Sequence, residues 1–178
     1  MNPSRKLWAG IAAMVVLSAG PVLADISIES GPGRVSSSVQ MVTLFNREST
    51  RDEWVTLQLH FGRILRQMKD RLEDEGTPDP TVGEETEEFR FAGIDLAVGH
   101  TSLNPYILML IGVTNFAERT HRLGTPWNFH LGLQFGSHGP EFGWFLSAHH
   151  WSNGPELTGA PGPNRGEEFG TFGLEWRF

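Results

Sequence analysis

Apolar and polar residues alternate along most of this chain, and a period of two predicts β-strands that present two different faces. Near the end of the chain, Phe172, Leu174 and Trp176 share one face, whereas Thr171 and Glu175 share the other. The segments of this kind, with the turn residues that bound them, predict eight strands, near 26–31, 35–46, 53–64, 88–99, 105–115, 126–136, 141–152 and 168–178. Eight is an even number of strands that can close into a barrel, so we expect an all-β, eight-stranded antiparallel β-barrel.

The two faces of the predicted strands differ in the size of their side chains. The sixth strand places large apolar residues on one face, at Trp127, Phe129, Leu131, Leu133 and Phe135, and polar or small residues on the other. An eight-stranded barrel has a narrow interior, so rows of bulky apolar residues favour a lipid-facing exterior and a transmembrane barrel. A half-buried strand of a soluble sandwich would show the same alternation and remains the alternative.

Aromatic residues near the strand ends are candidates for the girdles that such barrels carry at the two membrane interfaces. The candidates are Trp54, Trp127, Trp144, Trp151, Trp176 and Tyr106.

The connections between the predicted strands support a membrane orientation with both termini in the periplasm. On that side we expect short turns, at 46–52, 100–104 and 136–140. On the outer side we expect longer connections at 65–87, 116–125 and 153–167, and a short one around 31–33. The 65–87 connection is dense in charge and predicts a solvated loop that starts with a short helix, although cation-bridged contact with anionic glycolipid headgroups is an alternative.

Residues 1–24 have the composition of a secretory signal peptide. Arg5 and Lys6 precede an apolar run at 7–19, and Ala24 ends a segment of small residues suited to cleavage. The run is shorter than the roughly 20 apolar residues of a membrane helix. Cleavage would leave 25–178 as the barrel and change the formal net charge from -7 to -7 - 2 = -9.

The composition excludes several classes of function. The acidic mature chain argues against nucleic acid as a partner. The sequence contains no cysteine, which excludes disulfides, zinc-thiolate sites and thiol nucleophiles.

The terminal Phe178 resembles the assembly signal of bacterial outer-membrane proteins, so we expect the barrel-assembly machinery as a partner during insertion.

A group of polar residues with the makings of a hydrolytic triad lies where the seventh and eighth strands meet. His150 and Ser152 share a face of the seventh strand, and antiparallel pairing brings Glu168 beside them. In such a triad the imidazole takes the serine proton and the carboxylate orients the imidazole. All three project from the apolar face, where polar groups are costly, and a lipid substrate that approaches sideways would explain them. A polar rim without chemistry is the alternative.

The string His150-Trp151-Ser152-Asn153, followed by Pro163-Asn164-Arg165-Gly166 and then Glu168, resembles the signature of the outer-membrane lipid A 3-O-deacylase family. The resemblance implies an eight-stranded barrel in the bacterial outer membrane that hydrolyses the ester-linked 3-hydroxyacyl chain at the 3 position of lipid A. It also implies the role of each site residue: Ser152 as nucleophile, His150 as base, Glu168 as acid, Asn153 as an oxyanion donor and Asn164 as a structural residue of the site. No cofactor is implied.

Two neighbouring residues leave alternatives open in this site. Glu167 competes with Glu168 for the role of the acid, although the alternation favours Glu168. His149 lies beside His150, but its parity directs it toward the barrel lumen. The remaining histidines are scattered along the sequence and predict no metal site: His60, His100, His121, His130 and His138.

The partners expected from this reading are lipid A or lipopolysaccharide as substrate, the lipids of the outer membrane, and a second copy of the chain as a candidate dimer partner. A different class of function is also open, namely a structural or adhesion-type barrel without catalysis. A porin is disfavoured by the narrow interior. A lipid A palmitoyltransferase is disfavoured because the Pro163-Asn164 segment favours a deacylase.

Overall fold

Eight β-strands follow one another along the chain and close into a single antiparallel barrel. The computed structural model describes residues 25–45, 55–68, 76, 85–100, 103–120, 122–153 and 165–178. The strands are β1 (Asp25–Gly33), β2 (Ser37–Phe45), β3 (Val55–Gln67), β4 (Thr86–Gly99), β5 (Tyr106–Phe116), β6 (Trp127–His138), β7 (Phe142–Ser152) and β8 (Glu167–Trp176). Among the described residues, no helix is long and apolar enough to cross a membrane.

Each strand pairs with its neighbours in the chain, and β1 also pairs with β8, so that the sheet has no free edge. This confirms the prediction of an eight-stranded antiparallel barrel. We call the end that carries Asp25 and Phe178 the terminal end, and the opposite end, where β7 finishes at Ser152, the loop end. The predicted signal peptide, residues 1–24, lies outside the described residues.

The prediction for the first connection was wrong by a few residues. The turn lies at 34–36 rather than at 31–33, because β1 continues to Gly33. Gly31 and Gly33 lie so close to β8 that a Cβ at either position would overlap with Gly170 or Phe169. These two glycines therefore serve close packing within the sheet, whereas Val35 and Ser36, with φ of 58° and 44°, form the turn.

The third connection also begins later than predicted. Residues 65–67 continue β3 as strand, so the helix expected to start this connection is absent there, and only Met68 has helical geometry. Arg66 explains the extension, because its side chain turns inward and pairs with Glu167 inside the barrel. The predicted loop at 69–75 and 77–84 lies outside the described residues.

The barrel wall has an apolar outer face and a side-chain-filled interior. Outward positions include Leu57, Ile107, Leu133 and Leu146, each more than half exposed. The interior has an apolar cluster around Trp151 and Phe169 toward the loop end and another around Tyr106 and Phe145 toward the terminal end. Between them lies a polar layer of Glu29, His60, Asp95, Thr114, His130, His149 and Thr171, all buried.

Two of the six girdle candidates point the wrong way. Trp151 and Tyr106 are fully buried, because both have inward parity in their strands. Trp151 stacks on His130 and Tyr106 bonds to Glu175. Trp127, Trp144 and Trp176 lie on the outer face, and Trp54 lies outside the described residues.

Candidate active site

His150 and Glu168 face each other across β7 and β8 on the outer face of the barrel. The two residues are directly paired in the sheet, and His150 Nδ1 lies 3.5 Å from Glu168 Oε1. Their side chains are 43 % and 54 % exposed. With Nδ1 turned toward the carboxylate, Nε2 is the ring nitrogen left to serve a nucleophile. This is the ring orientation that the acid of a hydrolytic triad holds.

Ser152 is the last residue of β7 and projects from the same face as His150, two residues further toward the loop end. It pairs with Phe129 of β6, and it is partly exposed. Asn153 follows at once and is buried. The sheet thus brings Ser152, His150 and Glu168 together on one outer face, as the strand parity predicts. Asn164 lies outside the described residues.

Gly166 holds the backbone against the imidazole ring at the start of β8. Its φ is +68°, a conformation that favours glycine. A Cβ at this position would lie 2.8 Å from Cε1 of His150, too close for any other residue without movement. The glycine therefore serves both the local backbone conformation and the placement of the ring.

Arg122, in the connection between β5 and β6, fixes the chain just before Glu168. Its Nε donates to the carbonyl of Gly166 at 2.8 Å, and its Nη2 donates to the carbonyl of Arg165 at 2.9 Å. The backbone N–H of Arg165 donates in return to the carbonyl of Arg122 at 3.0 Å. Sequence reasoning missed this residue, because nothing in the period-two pattern links 117–126 to the start of β8.

Glu167 and Glu168 point in opposite directions. The Glu167 carboxylate is buried inside the barrel, where it pairs with Arg66 and accepts a hydrogen bond from Thr120 at 3.1 Å. Arg122 Nε lies 3.9 Å from the same carboxylate. Interior residues thus bind Glu167, and Glu168 is the one of the two glutamates that faces His150.

An apolar groove of about 790 Å³ begins at the His150–Glu168 pair and runs over the outer wall. Small residues make its floor: Ala148 pairs directly with Gly170 one step toward the terminal end. A Cβ added at Gly170 would meet no atom within 4 Å, so open space lies above it. Leu131 and Leu133 form one flank of the groove.

Two of the histidines that are scattered in the sequence, His60 and His130, meet each other and His149 in the interior. Asp95 lies 2.8 Å from Nδ1 of His60 and 2.8 Å from Nδ1 of His130. His130 Nε2 is 3.0 Å from His149 Nδ1, and His149 Nε2 is 2.9 Å from Glu29. The sequence did not predict this meeting, in which inward positions of five strands, β1, β3, β4, β6 and β7, lie at one level. The sequence signal that could have indicated this meeting is the inward parity that these residues have in their strands.

The His60, Asp95 and His130 group offers one metal-ligating atom from each residue, all within 4.8 Å of one another. In the described arrangement Asp95 contacts both rings, and Thr114 contacts His60 Nε2 at 2.9 Å. His149 points to the lumen as predicted and belongs to this interior layer. The layer therefore supports the wall behind His150 and is separate from the outward-facing site.

A comparison with solved structures places the barrel beside that of the outer membrane enzyme PagL. The TM-score is 0.60 at 18 % sequence identity, and the match covers 87 % of this chain and 100 % of that chain. At this identity the likeness establishes the fold. No protein-family model matches the chain, and a comparison with curated proteins finds no match.

Proposed function

We propose that this protein is an esterase of the bacterial outer membrane that removes the ester-linked 3-hydroxyacyl chain at the 3 position of lipid A. The observation that carries the proposal is the outward-facing His150–Glu168 pair, at the head of an apolar groove and beside Ser152. The fold of an outer membrane enzyme, the apolar outer wall and the resemblance to the lipid A 3-O-deacylase signature support it.

The site faces lipid, which suits a substrate held in the outer leaflet. A charged pair on a lipid-facing wall is costly unless it lies near the interface. His150 and Glu168 lie within the last three residues of β7 and the first two of β8, at the loop end. In this proposal the loop end lies at the level where the ester bonds of a glycolipid meet its sugar headgroup.

The groove beside the pair would receive the acyl chain. Ala148 and Gly170 leave a shallow channel directly below His150 and Glu168. An extended acyl chain lying there would present its ester carbonyl to Ser152. Because the acyl chain already lies in an apolar bilayer, Leu131 and Leu133 would hold it through van der Waals packing rather than by removing it from water.

The proposed reaction proceeds through an acyl-enzyme. Ser152 Oγ attacks the ester carbonyl while His150 takes its proton, and Glu168 stabilises the imidazolium that forms. His150 then returns the proton to the sugar oxygen as the carbon–oxygen bond breaks. Water, activated by His150, hydrolyses the acyl-enzyme and releases a 3-hydroxy fatty acid. Asn153 is the proposed oxyanion donor, a role worth a few kcal/mol, and Asn164 is proposed as a structural residue of the site.

Mass spectrometry of lipid A from cells that express the protein tests this function. We expect the wild type to remove one 3-hydroxyacyl chain and Ser152→Ala to leave lipid A intact, with heat-modifiability on gels showing that both barrels fold. Unchanged lipid A with a folded wild type would favour a structural barrel without catalysis. Insertion by the barrel-assembly machinery, cleavage of residues 1–24 and pairing with a second copy remain predictions.

A further inference from the structure

One part of the outer wall is charged, on the side opposite the candidate active site. It consists of Gln40, Arg63, Glu88 and Arg90, which we call the arginine patch. Arg63 and Arg90 are direct partners across β3 and β4. In the ring of eight strands, β3 and β4 lie four strands away from β7 and β8.

The patch is held together by side-chain hydrogen bonds and carries an excess of positive charge. Arg63 Nε donates to Gln40 Oε1 at 2.9 Å, and Arg63 Nη1 donates to Glu88 Oε2 at 3.3 Å. Arg90 Nε donates to Glu88 Oε1 at 2.6 Å. Two guanidinium groups therefore share one carboxylate. Their side chains remain 45 % and 44 % exposed, which leaves both groups accessible from outside the wall.

Two arginines opposite each other on a membrane wall need a reason. Like charges directly across a strand pair are destabilising. An arginine that faces lipid lowers the stability of a barrel by about 2–4 kcal/mol at the bilayer midplane, and this cost falls to about 0–1 kcal/mol near the interface. The patch is therefore placed at low cost only near a membrane interface.

The height of the patch agrees with an interfacial position. The strand pairing leads from Arg63 to Leu146 on β7, by way of Gln40, Ser30 and Phe172. In the other direction it passes through Arg90 to Ala117, beyond the loop end of β5. Because barrel strands tilt by roughly 35–45°, the path through paired residues moves toward the terminal end in one direction around the barrel and toward the loop end in the other. A plane that crosses the barrel at the level of Arg63 therefore meets β7 on the loop-end side of Leu146, near His150 and Ser152.

A groove adjoins the patch and changes from polar to apolar along its length. Its volume is about 620 Å³, and the patch residues line the part that lies closer to the loop end. Ile28, Val42 and Phe61 line the part that lies closer to the terminal end. Such a groove fits a molecule with an anionic head and an apolar tail.

We propose that the arginine patch binds the phosphate of a phosphorylated glycolipid of the outer leaflet, whose acyl chain lies in the adjoining groove. Guanidinium groups bind phosphate through paired, charge-assisted hydrogen bonds. Glu88 holds the two arginines together when no phosphate is present. The bound molecule is distinct from the substrate, because it lies on the other side of the barrel. This site rests on the outer-membrane location and is independent of the esterase reaction.

Native mass spectrometry of the purified barrel in detergent micelles tests the proposal. All proteins carry Ser152→Ala, so that no lipid is consumed, and the probes are bisphosphorylated lipid A and the same lipid without phosphates. We expect Arg63→Gln with Arg90→Gln to weaken binding of one phosphorylated molecule by at least about tenfold, the effect of losing charge-assisted hydrogen bonds. Binding of the dephosphorylated lipid should not change.

Control variants separate a specific site from a general effect of charge. Arg119→Gln removes an exposed cation from the connection between β5 and β6 and should leave binding unchanged. Glu88→Gln removes the competing anion and should tighten binding of the phosphorylated lipid. Arg63→Lys with Arg90→Lys keeps the charge but loses the paired donors, so binding should weaken less. This pair also serves if the glutamine variant does not fold.

Three results would overturn the proposal. The first is equal binding of phosphorylated lipid A by the parent and the double glutamine variant. The second is an equal loss for the dephosphorylated lipid, which would reduce the site to an apolar groove. The third is binding of inorganic phosphate as tight as that of the lipid. None of these results depends on deacylation, which is measured with Ser152 intact.

Discussion

Replacing Glu167 and Glu168 one at a time by glutamine should have opposite effects. Glu167→Gln should destabilise the barrel and leave the activity of the folded protein largely intact. Glu168→Gln should remove activity and leave stability nearly unchanged. The prediction follows from the placement of the two carboxylates on opposite sides of one strand, one beside buried Arg66 and the other beside exposed His150.

The expected size of each effect comes from burial. The side chains of Arg66 and Glu167 are 0 % and 1 % exposed, and breaking a buried ion pair typically costs about 3–5 kcal/mol. Glutamine can still accept the hydrogen bond from Thr120, so we expect the lower end of that range. The side chains of His150 and Glu168 are about half exposed at the loop end, and an ion pair in such an interfacial position contributes about 0–1 kcal/mol to stability. Removing the orienting carboxylate of a triad, however, lowers kcat by up to about 10⁴-fold.

Two measurements on the same purified variants decide the matter. Urea unfolding of the refolded barrels in micelles gives the change in the free energy of unfolding, and release of 3-hydroxy fatty acid from lipid A gives kcat. Full activity of Glu168→Gln would refute the proposed role of Glu168 as the acid. Wild-type stability of Glu167→Gln would show that Arg66 does not depend on Glu167, and the argument from the buried pair would fail.

Two further variants probe the groove and the interior layer. Gly170→Leu should fill the floor of the groove and lower kcat/KM for lipid A by at least about tenfold. Little stability should be lost, because nothing lies within 4 Å of a Cβ at this position. Ala92→Leu on the outer face of β4 is the matched control. Unaltered kinetics with Gly170→Leu would place the acyl chain elsewhere. Asp95→Asn should lower the free energy of unfolding by about 1.5–3 kcal/mol, since it weakens the hydrogen bond that Asp95 accepts from His130 and removes the negative charge that lies 2.8 Å from Nδ1 of His60. A urea midpoint equal to that of the wild type would contradict this role of Asp95.

The strands were predictable from the sequence because the period-two pattern is local. Each strand presents an apolar face to the outside and a more mixed face to the inside, where polar residues lie between two apolar clusters, and the alternation is visible within ten residues. The same parity places His150, Ser152 and Glu168 on one outer face. It also assigns Trp151 to the interior, which rules this residue out as part of an aromatic girdle.

The register between strands that are distant in sequence could not be predicted in the same way. The meeting of His60, Asp95 and His130 depends on how far β3, β4 and β6 are offset from one another, and alternation within one strand carries no such information. Arg66 illustrates the same limit. Its charge indicated a solvated loop, but its partner Glu167 lies a hundred residues further along the chain.

The ion pair between Arg66 and Glu167 has a consequence for how the barrel assembles. A slip of β8 by one residue would turn Glu167 outward to the lipid and bring Glu168 into the interior. The slipped barrel would lose its buried pair and its outward acid at the same time. The register that buries Glu167 beside Arg66 is therefore the same register that turns Glu168 toward His150.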